Sequence, residues 1–323
     1  MNKNIANLEH MVRTAYRNIA GIVVLKNGER VYEGYFDGYT SEDTLHMTSV
    51  TKSVVSALIG IAIEQGSIQS VDQKVLEFFP DYRIKRGEKT IQAVTLRNLL
   101  TMTAPYKYRS EPYTRVYTSA DWTRAALDLL GGRAGITGKF KYSTVGTQIL
   151  SGILMNASGQ SMLDFAGEHL FKPLSIQVPQ PKRLPSRNEH FAFIKGRRAS
   201  GWVVDPQGVN TAGWGLCLAP RDMAKIGQLY LNGGEVGVER IISTKWIADS
   251  TTQKSRWGKL PYGYLWWILN IKGSHGFAAL GDGGNAIFVV PKMGVVVAIA
   301  SRFMPRPKNR IKLITEHILP LFK

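Results

Sequence analysis

Thr48-Ser49-Val50-Thr51-Lys52-Ser53 opens an apolar run, Val54 to Ile63, that stops at Gly66. The pattern predicts a helix with Thr48 or Ser49 as its cap and a glycine just past its end. On that helix Ser49 lies in the first turn, and Lys52, three residues on, shares its face. A serine hydroxyl becomes a useful nucleophile only when a nearby base takes its proton, and an amine on the same face is such a base. The helix N-terminus adds partial positive charge where an oxyanion would form. Ser-x-x-Lys is short, however, and an ordinary capped helix with a solvated lysine also produces it, so its surroundings decide its meaning.

The surroundings are those of a folded globular chain. Its 323 residues are 44% hydrophobic and 20% charged, which excludes a disordered or fibrous protein and suits one large domain or two modest ones. Cys217 is the single cysteine, which rules out an intrachain disulfide framework and a cysteine-rich metal site. The first ten residues have no apolar core of a leader peptide, and no apolar run is long enough to span a bilayer, so a cytoplasmic protein is expected. The net charge of +17 is dispersed, and its densest runs (83–89, 195–198, 302–310) are short and none is interleaved with aromatics like a stacking platform. It reads as a solvated basic surface, with no specific nucleic acid and no membrane as partner.

Around the Ser49 helix the chain falls into three parts. A helix near 5–18 precedes two β-rich runs joined by Asn27-Gly28, a strong hairpin signal. From about 67 to 175 strand signals are scarce, and helices are expected at 95–102, 119–130, 145–156 and 162–171, with a tyrosine-rich loop at 104–117. Residues 176–211 read as loop, rich in proline. Helices at 220–231 and 243–250 then lead into strands at 262–269, 276–280, 286–290 and 295–300, and a last helix from about 308 to 319 with Pro320 as its stop. The expectation is an α+β fold: an antiparallel sheet built from both ends of the chain, flanked by helices. Residues 1–66 and 200–323 would form the discontinuous sheet domain, and 67–199 a mainly helical insertion.

Several familiar chemistries find no local pattern here. There is no Gly-x-Ser-x-Gly elbow, no His-Glu-x-x-His, no phosphate-binding glycine loop and no dinucleotide fingerprint, and the six histidines are scattered. No metal and no cofactor is expected. Two further features join Ser49 and Lys52. Tyr142-Ser143-Thr144 stands at the head of the helix starting near Val145, where a phenolate near a lysine is a possible general base. Gly281-Asp282-Gly283-Gly284-Asn285 separates two strands, where glycines let a substrate lie against an edge and a backbone N–H complete an oxyanion hole with that of Ser49.

Ser-x-x-Lys, Tyr-Ser-Thr some ninety residues on, and a Gly-x-Gly-Gly turn in the terminal sheet resemble the serine β-lactamase and penicillin-binding protein superfamily. The likeness is nearest to its class C-like branch of esterases, D-aminopeptidases and 6-aminohexanoate-dimer hydrolases. It extends over roughly 20–305 and includes Leu99-Leu100-Thr101-Met102-Thr103, Gly213-Trp214-Gly215-Leu216 and Tyr262-Gly263-Tyr264-Leu265-Trp266-Trp267. The resemblance implies a site between a sheet domain and a helical domain. It also implies Ser49 as the acylated nucleophile, Lys52 as proton acceptor, Tyr142 as partner in proton transfer, and the N–H groups of Ser49 and Asn285 as the oxyanion hole, with Thr144, Asp282, Gly283 and Gly284 beside the substrate.

Two departures narrow the expectation. The second motif of the family usually ends in Asn, where this chain has Thr144, and the third offers a cation to the substrate carboxylate, where this chain has Asp282. A carboxylate there repels such an anion. The expected function is therefore a serine hydrolase acting on a small ester or amide. The alternatives are a DD-peptidase or β-lactamase, and a non-catalytic member that binds a ligand.

Overall fold

The structure, a computed structural model, describes residues 3–322; Met1 and Asn2, where the stretch read as lacking a leader begins, and Lys323 lie outside them. Its centre is an eight-stranded antiparallel sheet. The strands are β1 (Ile19–Lys26), β2 (Glu29–Tyr35), β3 (Ser255–Trp257), β4 (Leu260–Tyr262), β5 (Trp267–Ile271), β6 (Ser274–Gly281), β7 (Asn285–Val290) and β8 (Val295–Ser301). Their spatial order is β2-β1-β8-β7-β6-β5-β4-β3, so the N-terminal hairpin joins the C-terminal meander through β1 and β8. The principal helices are α1 (Lys3–Ala15), α2 (Val50–Glu64), α3 (Thr144–Ser158), α4 (Arg187–Lys195), α5 (Pro220–Leu231) and α6 (Arg310–Leu313). No helix among the described residues is long and apolar enough to cross a membrane.

Why the central strands are apolar at every position follows from their two covered faces. Val295, Val297 and Ile299 of β8 pack with Leu8 and Val12 of α1 and Leu313 of α6. Val296, Ala298 and Ala300, on the opposite face, join the main core with Leu58 of α2 and Ile226 of α5. A strand buried on both faces loses the alternation that marks a half-exposed one. Between α2 and residue 180 the named elements of the described chain are all helical.

Local differences from expectation have physical reasons. The expected 262–269 strand is broken: Leu265 takes φ +62°, its N–H bonds to the Leu100 carbonyl and its carbonyl accepts from the Ser53 hydroxyl at 2.6 Å. The expected 119–130 helix is helical only over Trp122–Leu127, capped by the Asp121 carboxylate on the Arg124 N–H. Two stretches read as loop contain helix. Tyr113–Tyr117 forms one turn, and α4 is held by a capping box in which Ser186 accepts from Glu189 N–H. That Ser-x-x-Glu pattern was present in the sequence, hidden among prolines. At the C-terminus helical turns continue through Pro320 to Phe322 instead of stopping there.

Candidate active site

The head of α2 is built on a strained residue. Thr48, β-branched, takes φ +51°, a conformation that costs on the order of 1–3 kcal/mol and persists only where its neighbours enforce it. Its hydroxyl lies 2.8 Å from the Met47 carbonyl and 3.1 Å from that of Asp282, at the end of β6. The helix proper begins at Val50, and Ser49 makes no side-chain capping bond, contrary to the cap expected from the sequence. Its hydroxyl is thereby left free of structural duty.

Lys52 supplies the partner. Its ammonium donates to Ser49 Oγ at 3.1 Å, Thr144 Oγ1 at 3.1 Å and the Gly213 carbonyl at 2.7 Å, using its three donors. The side chain is only 1% exposed, and burial lowers its pKa to about 7, with the charges of Glu111 and Asp282 pulling it back up. An amine poised near neutrality and in contact with a hydroxyl can accept that hydroxyl's proton. The Tyr142 ring lies 5.0 Å from the same nitrogen. Burial pushes the Tyr142 phenol well above its usual range, although a hydrogen bond with Ser49 pulls it down. The phenolate considered from the sequence is thus disfavoured at neutral pH, and a phenol that donates and relays a proton fits better.

The Tyr142-Ser143-Thr144 stretch is anchored as expected at the head of α3, where Ser143 caps the helix by accepting from Gly146 N–H at 2.6 Å. The 281–285 turn divides. Asp282 lines the cavity with Ser49 and Thr144. The Gly283 carbonyl faces the other way and accepts from Asn18 Nδ2 at 2.6 Å, and Gly284 packs on Arg310. Asn285 is buried; its amide reaches the His46 and Asp282 carbonyls and accepts from Ser301 N–H, so it braces the turn from behind. None of these three residues is on the cavity wall, unlike the placement expected for Gly283, Gly284 and Asn285.

Gly281, the first residue of that turn, is the one pressed against the head of α2. A Cβ there would come 2.2 Å from Thr48 Oγ1, 2.5 Å from the Met47 carbonyl and 3.2 Å from Ser49 N. Gly281→Ala must push β6 away from the Ser49 amide. An activity that depends on this amide is expected to lose about 10–100-fold in kcat with KM little changed. Steady-state kinetics beside a thermal melt check this, and an unchanged kcat in a folded variant would count against the amide's role.

Ser49 opens into a cavity of about 840 Å3. Its walls include Tyr113, Tyr117, Trp122 and Trp214, and Arg183 and Arg187 stand on the side formed by the approach to α4. Glu111 and His46 were also missed from the sequence. Glu111 accepts hydrogen bonds at the head of α3, 34 residues away in sequence. His46 accepts from Gly215 N–H, and burial lowers its pKa to about 3, so it is a neutral structural group. Cys217 is buried and its thiol is pushed up, which makes it inert. No local signature marks any of these, because each depends on a contact distant in the chain.

Comparison with known proteins places this geometry among relatives. A family model described as Beta-lactamase matches residues 6–319. The chain is 24% identical to a 6-aminohexanoate-dimer hydrolase of Paenarthrobacter ureafaciens, over 89% of this chain and 73% of that protein. The fold is similar to an octameric penicillin-binding protein homologue from Pyrococcus abyssi, with TM-score 0.74 and 23% identity over 99% of this chain and 78% of that one. It is also similar to a D-stereospecific amidohydrolase from a Streptomyces species, with TM-score 0.71 and 15% identity over 98% of each chain.

Proposed function

This chain belongs to the Beta-lactamase family, and on that premise we propose that it is a serine hydrolase cleaving a small ester or amide through an acyl-enzyme on Ser49. The observation that carries the reading is the buried Lys52 amine 3.1 Å from the Oγ of Ser49, which lines the cavity. In its neutral form Lys52 takes the Ser49 proton while Oγ adds to the substrate carbonyl carbon. The Ser49 N–H, at the positive end of α2, faces the oxygen that gains charge. Tyr142 passes the proton to the leaving oxygen or nitrogen as the tetrahedral intermediate collapses, leaving the acyl group on Ser49. Water, deprotonated by the same pair, then releases the acid and restores the serine. Because Lys52 must be neutral to begin, the acid limb of kcat/KM is expected near pH 7, where its amine gives up its proton.

Asp282 bears on substrate choice. Its carboxylate shares the cavity wall with Ser49 and Thr144, and repels an anionic group placed beside the scissile bond. Small neutral or cationic esters and amides are the preferred class. Asp282→Lys is expected to raise the rate of Ser49 acylation by a fluorescent penicillin about tenfold or more. Labelling that is no faster than wild type would remove Asp282 as the reason for discrimination.

The reading is tested by incubating the protein with a p-nitrophenyl ester panel, nitrocefin and a fluorophosphonate. Mass spectrometry should place the phosphonate on Ser49, with turnover of an ester and little of nitrocefin. Stable penicillin labelling of wild type would instead favour a penicillin-binding activity. No adduct and no turnover would leave a ligand-binding protein.

A further inference from the structure

Glu111 lies in the tyrosine-rich loop, yet it does not line the cavity. Its carboxylate accepts from Val145 N–H at 2.8 Å, from the Ser143 hydroxyl at 2.9 Å and from the Tyr113 hydroxyl. It therefore occupies the positive end of α3, where a carboxylate is favoured, and grips the two residues that flank Thr144. Because the Ser143 hydroxyl donates to Glu111, the Tyr108 hydroxyl 2.6 Å away must be the donor to Ser143 Oγ. Thr144 in turn contacts Lys52, and Tyr142 lies against it. We propose, resting on the acyl-transfer reading above, that Glu111 is a positioning residue: it clamps the Tyr142–Thr144 segment against Lys52 and supplies negative charge that balances the buried ammonium.

The groups facing Lys52 are few. They are Glu111 from the loop, Asp282 from the end of β6, the Tyr142 ring before α3, and the hydroxyls of Ser49 and Thr144. Around Glu111 stand Tyr106, Tyr108, Tyr113 and Tyr117, all with phenols pushed above their usual range, and Lys141, whose ammonium bonds to the Tyr108 carbonyl. Glu111 thus places its carboxylate among neutral phenols, and its removal leaves Asp282 as the remaining carboxylate acting on Lys52.

The test is the pH profile of kcat/KM on an activated ester for wild type, Ser49→Ala, Glu111→Gln and Glu111→Asp. Glu111→Gln keeps acceptors for Val145 and Ser143 but removes the charge. Its acid limb is expected about half a pH unit or more below that of wild type, because the ammonium loses its compensation. Glu111→Asp keeps the charge and shortens the reach, so the limb should stay in place while kcat falls about tenfold. KM should change less than about twofold in both, since Glu111 is off the cavity wall. A Ser49-dependent activity whose limb is unmoved in Glu111→Gln overturns this inference alone. Activity that survives Ser49→Ala overturns the acyl-enzyme reading, and the inference with it. If Glu111→Gln does not fold, Glu111→Asp decides: a displaced limb or an unchanged kcat rejects the proposal.

Discussion

Ser49→Ala is expected to lower kcat/KM on an activated ester by at least about 10^3-fold, and to abolish fluorophosphonate labelling. The size follows from what the hydroxyl does. In an acyl-transfer mechanism no other group forms the covalent bond, so its loss removes the pathway and leaves only the residual effect of substrate binding and the oxyanion donors. The variant should remain folded, because Ser49 makes no capping bond and stands at the cavity, where water can replace its contact with Lys52. An unfolding free energy within about 1 kcal/mol of wild type is expected. KM should be nearly unchanged. Activity at even a tenth of the wild-type level would remove Ser49 from the mechanism.

Lys52→Met should bring a comparable loss of kcat together with an altered pH dependence of stability. The amine is buried, and its pKa falls from 10.5 to about 7 on folding. Below pH 7 both folded and unfolded states carry the proton, and the folded state bears the full cost of a buried charge. Between about pH 7 and 10.5 the unfolded chain binds the proton and the folded one does not, so the cost fades as pH rises and is gone above 10.5. The slope in that window approaches about 1.4 kcal/mol per pH unit. Methionine has no such cost, although it leaves the Gly213 carbonyl unpaired at about 1–3 kcal/mol. The prediction therefore rests on the change with pH. Urea unfolding at pH 6.5, 8 and 9.5 should show Lys52→Met losing ground relative to wild type as pH increases. A difference that stays constant across this range would mean the lysine is not poised as the structure places it.

Much of the architecture was legible because its signals are local. Asn27-Gly28 marked the hairpin, Pro220 and Asn232 bounded α5, and apolar runs rich in valine and isoleucine marked β7 and β8. Elements were misread where a distant contact overrode local preference, as when Leu100 and Ser53 pulled Leu265 out of a strand. The site divides the same way. Ser49, Lys52 and Tyr142, the proposed catalytic group, could be picked out through spacing and motif order. The contacts of Glu111 with the head of α3 and of Gly281 with the head of α2 could not be, since each depends on which distant atoms the residue meets.

Within Ser49-Val50-Thr51-Lys52 the helical period alone set the two side chains on one face of a turn. That could not say whether the lysine would be a solvated surface charge or a buried base, and the sequence allowed both. Tertiary packing decided it: the Gly213 carbonyl, Thr144 and the Tyr142 ring enclose the amine, and exclusion of water brings its proton affinity down toward neutrality. Proximity along a helix is a property of the chain, whereas desolvation is a property of everything that closes around it.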